Sequence, residues 1–492
     1  MSAPGAAAAA AAAACPAGTW QLATEMRIAG RLVIVGFGSV AQGMLPLVRR
    51  HVPVDPAAIT VITADDDGRA AAAACGVSDV RVQPLTIGCY RERLTALLAP
   101  GSFLLNLSYD VASTALIELC HGLDVPYLDA CIEPWAGSHY DTRLSAAERT
   151  NYALREQALA INRQAWTHRP TSVVAHGVNP GLVSHFTKRA LLAMAADTGV
   201  EVSPPQTRED WARLARTLGI RAIHVAERDY QRGAQPKQVG EFVNTWSAAA
   251  FVGEGSQPAE LGWGSHEKRL PARGRQHDHG SRAAIYIERP GVTVRVRSWT
   301  PLQGPYHGFL ITHAESIAIA DYLTLREGEA VVYRPTVHYA YHPCDDAVLS
   351  IFEYCGRGFT MQPRTRLLRD EIVDGIDELG VLLCGHPRGV YWYGSRLSTQ
   401  QARALAPFNN ATTMQTAAGA LGGMVWALDN PGRGVVEPEA LDHERVLRVA
   451  EPYLGEMVGV WGDWHPLQGR ERLFAEDLDR DDPWQFGNLL VE

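Results

Sequence analysis

The chain has few positive charges for its length and lacks a long apolar segment. It holds 45 Lys and Arg against 54 Asp and Glu in 492 residues, a formal net charge of −9. Such a chain presents no broad cationic field to a phosphate backbone, so we expect no nucleic-acid partner. Its longest apolar run, the alanine tract at 6–14, is shorter than the roughly 20 residues of a membrane-spanning helix and does not resemble a secretory signal. We therefore expect no membrane partner and interpret residues 1–25 as a disordered extension.

Cysteine pairs and clustered metal ligands are missing as well. The eight cysteines are scattered without a CxxC motif, which favours reduced thiols in a cytoplasmic enzyme over disulfides or a structural zinc. His277 and His279 lie close together, but the sequence places no third ligand, so we assign no metal.

From residue 31 onward, short apolar runs alternate with stretches of helical spacing. Strands are predicted at 31–38, 58–65, 102–110, 126–133 and 172–180. This alternation predicts an α/β fold with a Rossmann-type doubly wound parallel sheet, whose ligand binds at the carboxyl ends of the strands. After residue 181 the pattern changes to that of a second, mixed α+β domain.

The sharpest local motif is VIVGFGSVAQG at 33–43, which follows a predicted strand and opens a predicted helix. Its small residues keep the G-x-G-x-x-A spacing of a dinucleotide-binding turn: Gly36, Gly38 and Ala41. The free N–H groups at the helix start, Ser39 and Val40, would face the pyrophosphate. Asp65 ends the second strand, where a carboxylate accepts the ribose hydroxyls and repels the extra phosphate of NADP, so the sequence favours NAD.

These signals divide the chain into four parts. After the extension, residues 26–182 form the NAD-binding Rossmann domain, and residues 183–408 form a substrate-binding and dimerisation domain. Residues 409–492 form a C-terminal segment, with a small-residue helix at 412–428, that packs back on the Rossmann domain. The polar stretch 264–282 has no period, so we predict a mobile loop or lid.

Polar side chains follow the other predicted strands, as a binding crevice requires. They are Asn106, Ser108, Asp129, Cys131, Asn179 and Pro180. Each alone is as readily a turn former or a cap, but their common position favours a cofactor site. Two carboxylates, Asp110 and Glu133, leave the same edge with no Arg or Lys nearby, which indicates a cationic substrate.

The second domain offers further candidates for holding a cation. Glu227 ends a strand-like run, Glu254 stands in a tight GEG sequence, and Trp246 could hold an ammonium group by cation–π attraction of about 0.5–2 kcal/mol. His313 is a candidate proton shuttle. Each has a plainer interpretation: Glu227 as a surface pair with Arg228, Trp246 as a core residue, and His313 as a buried histidine bonded to backbone.

Several long segments together carry a resemblance to a known family. They are VIVGFGSVAQG, NLSYDVAS (106–113), YLDACIEPW (127–135), HGVNPGLVSHF (176–186), EFVNTWSAAAFVGEG (241–255) and GFLITHAESIAIADYL (308–323). From about residue 28 to the C-terminus, the chain resembles the bacterial homospermidine synthases, within the wider saccharopine dehydrogenase-like group.

The resemblance implies an NAD-dependent aminobutyl transfer between diamines. NAD takes a hydride from the amine-bearing carbon of putrescine or spermidine, ammonia or diaminopropane leaves, and a second putrescine forms a Schiff base that receives the hydride back. Asn179, Trp246, Glu254 and His313 would then be catalytic, and the carboxylates of Asp110, Glu133, Glu227 and Asp377 would bind substrate. Asp377, in the helix-like stretch RDEIVDGIDELG (369–380), is equally readable as part of a solvated helical face.

Two other functions fit the same fold. A saccharopine dehydrogenase-like or carboxyspermidine-type oxidoreductase would act on substrates with carboxylates, which demand Arg or Lys, yet segments 106–135 and 241–255 contain neither. A non-catalytic NAD-binding regulator would bind cofactor without polyamines. The aromatic second domain also suggests a homodimer.

Overall fold

The computed structural model describes residues 23–491, so most of the predicted extension at 1–25 lies outside the described residues. The first described residues are anchored to distant parts of the chain by hydrogen bonds. The N–H of Ala23 donates to the carbonyl of His51 at 3.1 Å, and Thr24 Oγ1 donates to Asp429 Oδ1 at 2.6 Å.

Strands and helices alternate in the first part of the chain, as the sequence predicts. The elements are β1 (Leu32–Val35), α1 (Ser39–His51), β2 (Ile59–Thr63), α2 (Arg69–Ala74), β3 (Asp79–Val82), α3 (Tyr90–Thr95), β4 (Phe103–Asn106), α4 (Ser113–Leu123), β5 (Tyr127–Asp129), α5 (Asn151–Ala160), β6 (Ser172–Val173) and α6 (Leu182–Thr198). Strand β3 was not predicted, because its four residues DVRV are half exposed and lack an apolar run.

The remainder mixes helices with longer strands. Its elements are α7 (Arg208–Thr217), β7 (Ala222–Asp229), β8 (Arg232–Gly233), β9 (Glu241–Asn244), α8 (Ala248–Ser256), β10 (Pro258–Gly262), β11 (Gly274–Gln276), β12 (Ala284–Pro290), β13 (Arg295–Thr300), β14 (Gly304–Phe309), α9 (Ala314–Tyr322), β15 (Leu325–Glu327), β16 (Ala330–Tyr333), β17 (Thr336–His342), α10 (Asp345–Gly356), β18 (Arg364–Leu367), β19 (Ile372–Asp374), β20 (Ile376–Cys384), β21 (Val390–Ser398), α11 (Thr399–Leu405), α12 (Ala411–Asp429), β22 (Val435–Val436), α13 (His443–Ala450), β23 (Glu456–Gly462), α14 (Phe486–Leu489) and β24 (Leu490–Val491).

The first sheet is parallel throughout and has the order β22-β6-β5-β4-β1-β2-β3. Its strands are short apolar runs, and those of β1, β2 and β4 are completely buried, as expected for a sheet covered by helices on both faces. The doubly wound fold predicted from the sequence is confirmed. Strand β22 comes from the C-terminal segment and pairs with β6, while α12 packs against α1 and β5.

The second sheet has eleven strands of mixed direction. At its centre β7 pairs in parallel with β17 and antiparallel with β20, so the carboxyl ends of β7 and β17 lie side by side. In this register Glu227 lies opposite Tyr341. The C-terminal strands β23 and β24 also join this sheet, beside β21 and β13.

Two local predictions were wrong. The stretch 369–380 forms β19 and the start of β20 instead of a helix; its acidic residues recur at spacings of three to four, which mimics a helix surface. The stretch 264–282 contains β11, paired with β12, and a buried His277 stacked on Tyr152 at 3.9 Å between ring centroids, so it is not a free loop. The GEG sequence around Glu254 lies in α8.

Candidate active site between the two sheets

A cavity of about 680 Å³ opens at the carboxyl ends of the first sheet and reaches the ends of β7 and β17 in the second. One end is lined by the glycine-containing turn after β1, and the other by carboxylates and aromatic rings. The two ends of the cavity therefore differ in chemistry.

The turn after β1 leaves room for a ligand. Gly36 has φ +82°, and a Cβ there would lie 2.5 Å from the Ser108 backbone, so only glycine fits. Gly38 lines the cavity, and a Cβ there would meet nothing within 4 Å. Gly38 is the N-cap residue of α1 and has no side chain to cap it, so the first N–H groups of the helix are available to bind an anion. A dinucleotide fits this turn.

Asp65 lines the same end of the cavity just after β2. Its Oδ1 accepts the N–H of Asp67 at 3.1 Å, while Arg69 pairs with Asp66 at 2.6 Å and not with Asp65. The Asp65 carboxylate is therefore free to accept ribose hydroxyls. Pro84 and Leu85 add an apolar wall that the sequence did not identify.

The predicted polar residues at the other strand ends divide into two groups. Asn106, Ser108, Cys131, Asn179 and Pro180 line the cavity. Asp129 does not appear in the lining: its Oδ1 accepts the N–H of Ala175 at 2.6 Å and its Oδ2 accepts the Tyr127 hydroxyl at 2.8 Å, while burial raises its pKa to about 7. Asp129 thus braces neighbouring strands behind the site.

Glu227 is the central carboxylate of the opposite end and is almost completely buried. Its Oε2 accepts a hydrogen bond from Asn179 Nδ2 at 2.8 Å and another from the Tyr339 hydroxyl. Burial raises its pKa to about 8, against the opposing effect of these two donors. A carboxyl group with a pKa near neutrality can take up or release a proton at working pH. The predicted interpretation of Glu227 as a surface pair was wrong, because Arg228 pairs with Asp345 at 2.9 Å instead.

His313 stands between two carboxylates. Its Nε2 lies 3.4 Å from Glu254 Oε2, its Nδ1 lies 3.2 Å from Glu315 Oε1, and its ring contacts Tyr339 at 4.5 Å between centroids. Burial alone would lower the pKa of His313, but Glu315 and Glu254 outweigh it and raise the pKa to about 10. The two carboxylates therefore favour the protonated imidazolium form of His313.

A second acidic pair lies at the end of the first sheet. Asp110 and Glu133 both line the cavity, and burial raises the pKa of each. Glu133 Oε2 lies 3.1 Å from His139 Nε2, which opposes that rise. Asp110 itself has a positive φ of 70°.

Trp246 forms the aromatic wall between the two ends. Its indole Nε1 lies 3.4 Å from the Tyr341 hydroxyl, and its ring packs against Phe251 at 6.0 Å between centroids. Among the described residues that line the cavity there is no Lys or Arg, whereas there are five Asp and Glu residues: Asp65, Asp110, Glu133, Glu227 and Glu254. The arrangement suits a cation beside a bound dinucleotide.

Comparison with known proteins agrees with this geometry. The family model for the saccharopine dehydrogenase NADP binding domain matches residues 32–173, and the model for the saccharopine dehydrogenase C-terminal domain matches residues 177–463. The curated homospermidine synthases of Blastochloris viridis and Mesorhizobium japonicum are 51% and 49% identical, each over 94% of this chain and 98% or 97% of the relative. The chain belongs to the homospermidine synthase family.

A solved structure shows the same fold in this family. The homospermidine synthase of Legionella pneumophila, solved in complex with NAD, is 46% identical, has a TM-score of 0.88, and aligns over 95% of this chain and all of its own. The family resemblance drawn from the sequence segments is confirmed.

Three residues at the site of this homospermidine synthase family member were not predicted from the sequence. Tyr339 and Tyr341 on β17 face the cavity together, their rings stacked at 5.1 Å between centroids. Glu315 acts on His313 from the first turn of α9. The two Tyr residues of TVHYAYH (336–342) were a usable signal, since residues two apart in a strand share a face.

Asp377 is placed behind the cavity instead of in its lining. It lies in β20 opposite Asp229, and its Oδ2 accepts the hydroxyl of Thr412, which does line the cavity, at 2.5 Å. Burial, with Glu227 and Asp229 nearby, raises the pKa of Asp377 well above its usual value. Asp377 is completely buried, so its interpretation as part of a solvated helical face was wrong.

Proposed function

We propose that the chain is an NAD-dependent homospermidine synthase that transfers the aminobutyl group of one putrescine, or of spermidine, to a second putrescine. With putrescine as donor, two diamines give homospermidine and ammonia, so there is no net oxidation. The observation that carries the proposal is the cavity itself, which combines a dinucleotide turn with buried carboxylates and an aromatic wall and has no Lys or Arg in its described lining. Bound NAD would supply a hydride acceptor that later returns the hydride.

Glu227 and His313 divide the proton transfers. The reacting amine must be neutral before it can lose a hydride, so a base must accept its proton. Glu227, with a pKa of about 8, is the group best matched to that task, and Asn179 and Tyr339 hold its Oε2 in place. His313, with a pKa of about 10, carries a proton that it can donate to the departing amine.

The other residues hold charge. Glu254 keeps His313 oriented and contributes negative charge to the imine end of the site. Trp246 would stabilise the cationic imines with the face of its ring. Asp110 and Glu133, at the end of the first sheet, would hold the far ammonium group of the diamine. Asp377, which lies near Glu227, would act on that end of the cavity through Thr412.

We also propose a homodimer that works in the cytoplasm. Leu349 and Phe352, one turn apart on α10, and Phe359 just after it are 55%, 48% and 44% exposed, and these apolar groups suit burial against a second copy. Six described cysteines are free thiols, which suits a reducing compartment: Cys89, Cys120, Cys131, Cys344, Cys355 and Cys384. No described helix has the length and apolar character needed to cross a membrane. Light scattering that gives the monomer mass at working concentration would refute the dimer.

The decisive experiment uses putrescine deuterated on both amine-bearing carbons, with NAD at catalytic amounts. The proposal predicts homospermidine that keeps the transferred deuterium, one ammonia per product, and no steady accumulation of NADH. Stoichiometric NADH without a new polyamine would instead identify an oxidoreductase with net redox. Tight NAD binding with no reaction would identify a non-catalytic regulator. Either result would overturn the proposal.

A further inference from the structure

The cofactor turn and the aromatic wall are joined by a direct hydrogen bond. Ser39, the first residue of α1, is nearly buried, and its Oγ donates to the backbone carbonyl of Trp246 at 2.5 Å. The two residues are 207 positions apart in the chain, and both line the cavity. The backbone of Ser39 thus belongs to the dinucleotide turn, while its side chain binds the backbone carbonyl of Trp246.

A second connection runs between the same two segments. Asn409 Nδ2 donates to the carbonyl of Gly43 on α1 at 3.1 Å, and a Cβ at Gly43 would lie 2.1 Å from Asn409 Oδ1. The next residue, Asn410, caps α12 with its Oδ1 and donates from Nδ2 to the carbonyl of Thr245 at 2.6 Å. The helix that begins at the cofactor turn is thus tied to Thr245 as well as to Trp246.

Thr245 and Trp246 are in turn fixed from the other sheet. Thr245 Oγ1 donates to Asp229 Oδ2 at 2.9 Å, and the indole of Trp246 lies against Tyr341 and Phe251. The position of the indole therefore depends on contacts from both sides of the cavity. A ligand that contacts the turn before α1 is thus one hydrogen bond away from the carbonyl of Trp246.

We propose that Ser39 is a positioning residue that couples occupancy of the cofactor turn to the placement of Trp246, so that NAD and the diamine bind with positive cooperativity. This inference rests on the proposed function. Cofactor binding fixes the turn, and the hydrogen bond from the Ser39 hydroxyl then fixes Trp246. The diamine therefore binds without the loss of conformational entropy that ordering Trp246 would require. The coupling is reciprocal, so putrescine strengthens NAD binding by the same factor.

The test is calorimetric titration of the full-length protein with putrescine, with and without saturating NAD. In the wild type we expect NAD to tighten putrescine binding by about 5-fold or more, the usual lower range of such coupling. In Ser39→Ala the factor should fall towards 1, and in Ser39→Thr, which keeps the hydroxyl, it should persist. The factor is the ratio of the putrescine Kd without NAD to the putrescine Kd with saturating NAD. A general weakening of NAD binding does not change this ratio as long as NAD is saturating.

Two further variants separate the coupling from other losses. Ser395→Ala removes a buried hydroxyl that donates to the backbone carbonyl of Leu454, as Ser39 does to that of Trp246, but Ser395 does not line the cavity, so the factor should stay at its wild-type value. Asn410→Ser keeps a helix-capping oxygen but loses the donor to Thr245, so the factor should fall partway, even if Ser39→Ala does not fold. A wild-type factor of 1, or an unchanged factor in Ser39→Ala or in Asn410→Ser, would overturn the inference. Failure of the wild type to bind NAD or putrescine at all would overturn the proposed function instead.

Discussion

The amide of Asn179 lies 2.8 Å from Glu227 Oε2, so a residue at the end of the first sheet fixes the carboxylate that the second sheet contributes to the site. Chemistry at Glu227 therefore depends on the two halves of the fold being docked. The raised pKa of Glu227, about 8, makes this carboxylate the clearest source of pH dependence.

Replacing Glu227 by Gln should change how stability depends on pH. Burial raises the folded-state pKa of Glu227, so the folded protein holds a proton that the unfolded chain has lost between about pH 4.5 and 8. Stability of the wild type should therefore fall relative to Glu227→Gln as pH rises through this range, with a slope of at most about 1.4 kcal/mol per pH unit. Urea unfolding of both proteins at pH 5.5, 6.5 and 7.5 measures this difference in the free energy of unfolding. Glu288→Gln, at an exposed carboxylate of β12, should run parallel to the wild type; parallel profiles for Glu227→Gln as well would refute the assignment.

Replacing Glu315 by Gln should shift the alkaline limb of the activity profile. His313 loses the anionic partner of its Nδ1, so its pKa should fall from about 10. If His313 donates a proton to the departing amine, activity above that pKa disappears, and the limb should move down by about 1–3 pH units. Values of kcat between pH 7 and 10.5 test this. An alkaline limb at the wild-type position would exclude His313 as the donor.

Trp246→Phe should retain more activity than Trp246→Ala. Phenylalanine keeps an aromatic face, though a weaker one, whereas alanine loses a cation–π attraction of about 0.5–2 kcal/mol, which corresponds to about 2- to 30-fold in kcat/KM for putrescine. Both variants leave the carbonyl that accepts from Ser39. Equal kcat/KM in the two variants would remove the cation–π role.

Asp65→Ser should relax the choice of cofactor. The wild-type carboxylate lines the cavity and would repel a 2′-phosphate, and serine removes that repulsion while leaving a small polar group. We expect the ratio of NAD to NADP affinity to fall by about 10-fold or more, since each 1.4 kcal/mol of lost repulsion is a factor of ten. Fluorescence titration with NADH and NADPH measures both affinities. Asp66→Ser, at the neighbouring residue that pairs with Arg69, serves as the control.

The cofactor turn could be predicted because all its determinants are local. Gly36, Gly38 and Ala41 carry their spacing in the sequence, and the strand and helix around them have strong periodicity. The residues of the opposite end are brought in by strand pairing over long separations, as with Glu227 and Tyr339, which are 112 positions apart. A pattern of alternation shows that β17 is a strand but does not say which cavity its tyrosines face.

Asp377 and Asp129 show that the sequence does not decide which carboxylates face the cavity. Both are carboxylates near strand ends, and both are buried behind the cavity instead of lining it. Sequence spacing identifies strand ends but does not decide whether a side chain points into a crevice or into the sheet packing beneath it. That choice depends on register, which is set by partners such as Asp229 and Ala175 far along the chain.

The pairing of β22 with β6 has a consequence for how the protein is made. Six strands of the first sheet lie before residue 174, but the seventh, Val435–Val436, is translated more than 250 residues later. While the ribosome is still adding those residues, the nascent nucleotide-binding sheet has an open edge at Ser172–Val173, a site where strands of neighbouring chains can add. The first sheet is therefore completed only when nearly the whole polypeptide has been synthesised. A truncated chain that lacks Val435–Val436 would expose this edge to aggregation or to proteolysis, even if most of the second sheet had formed.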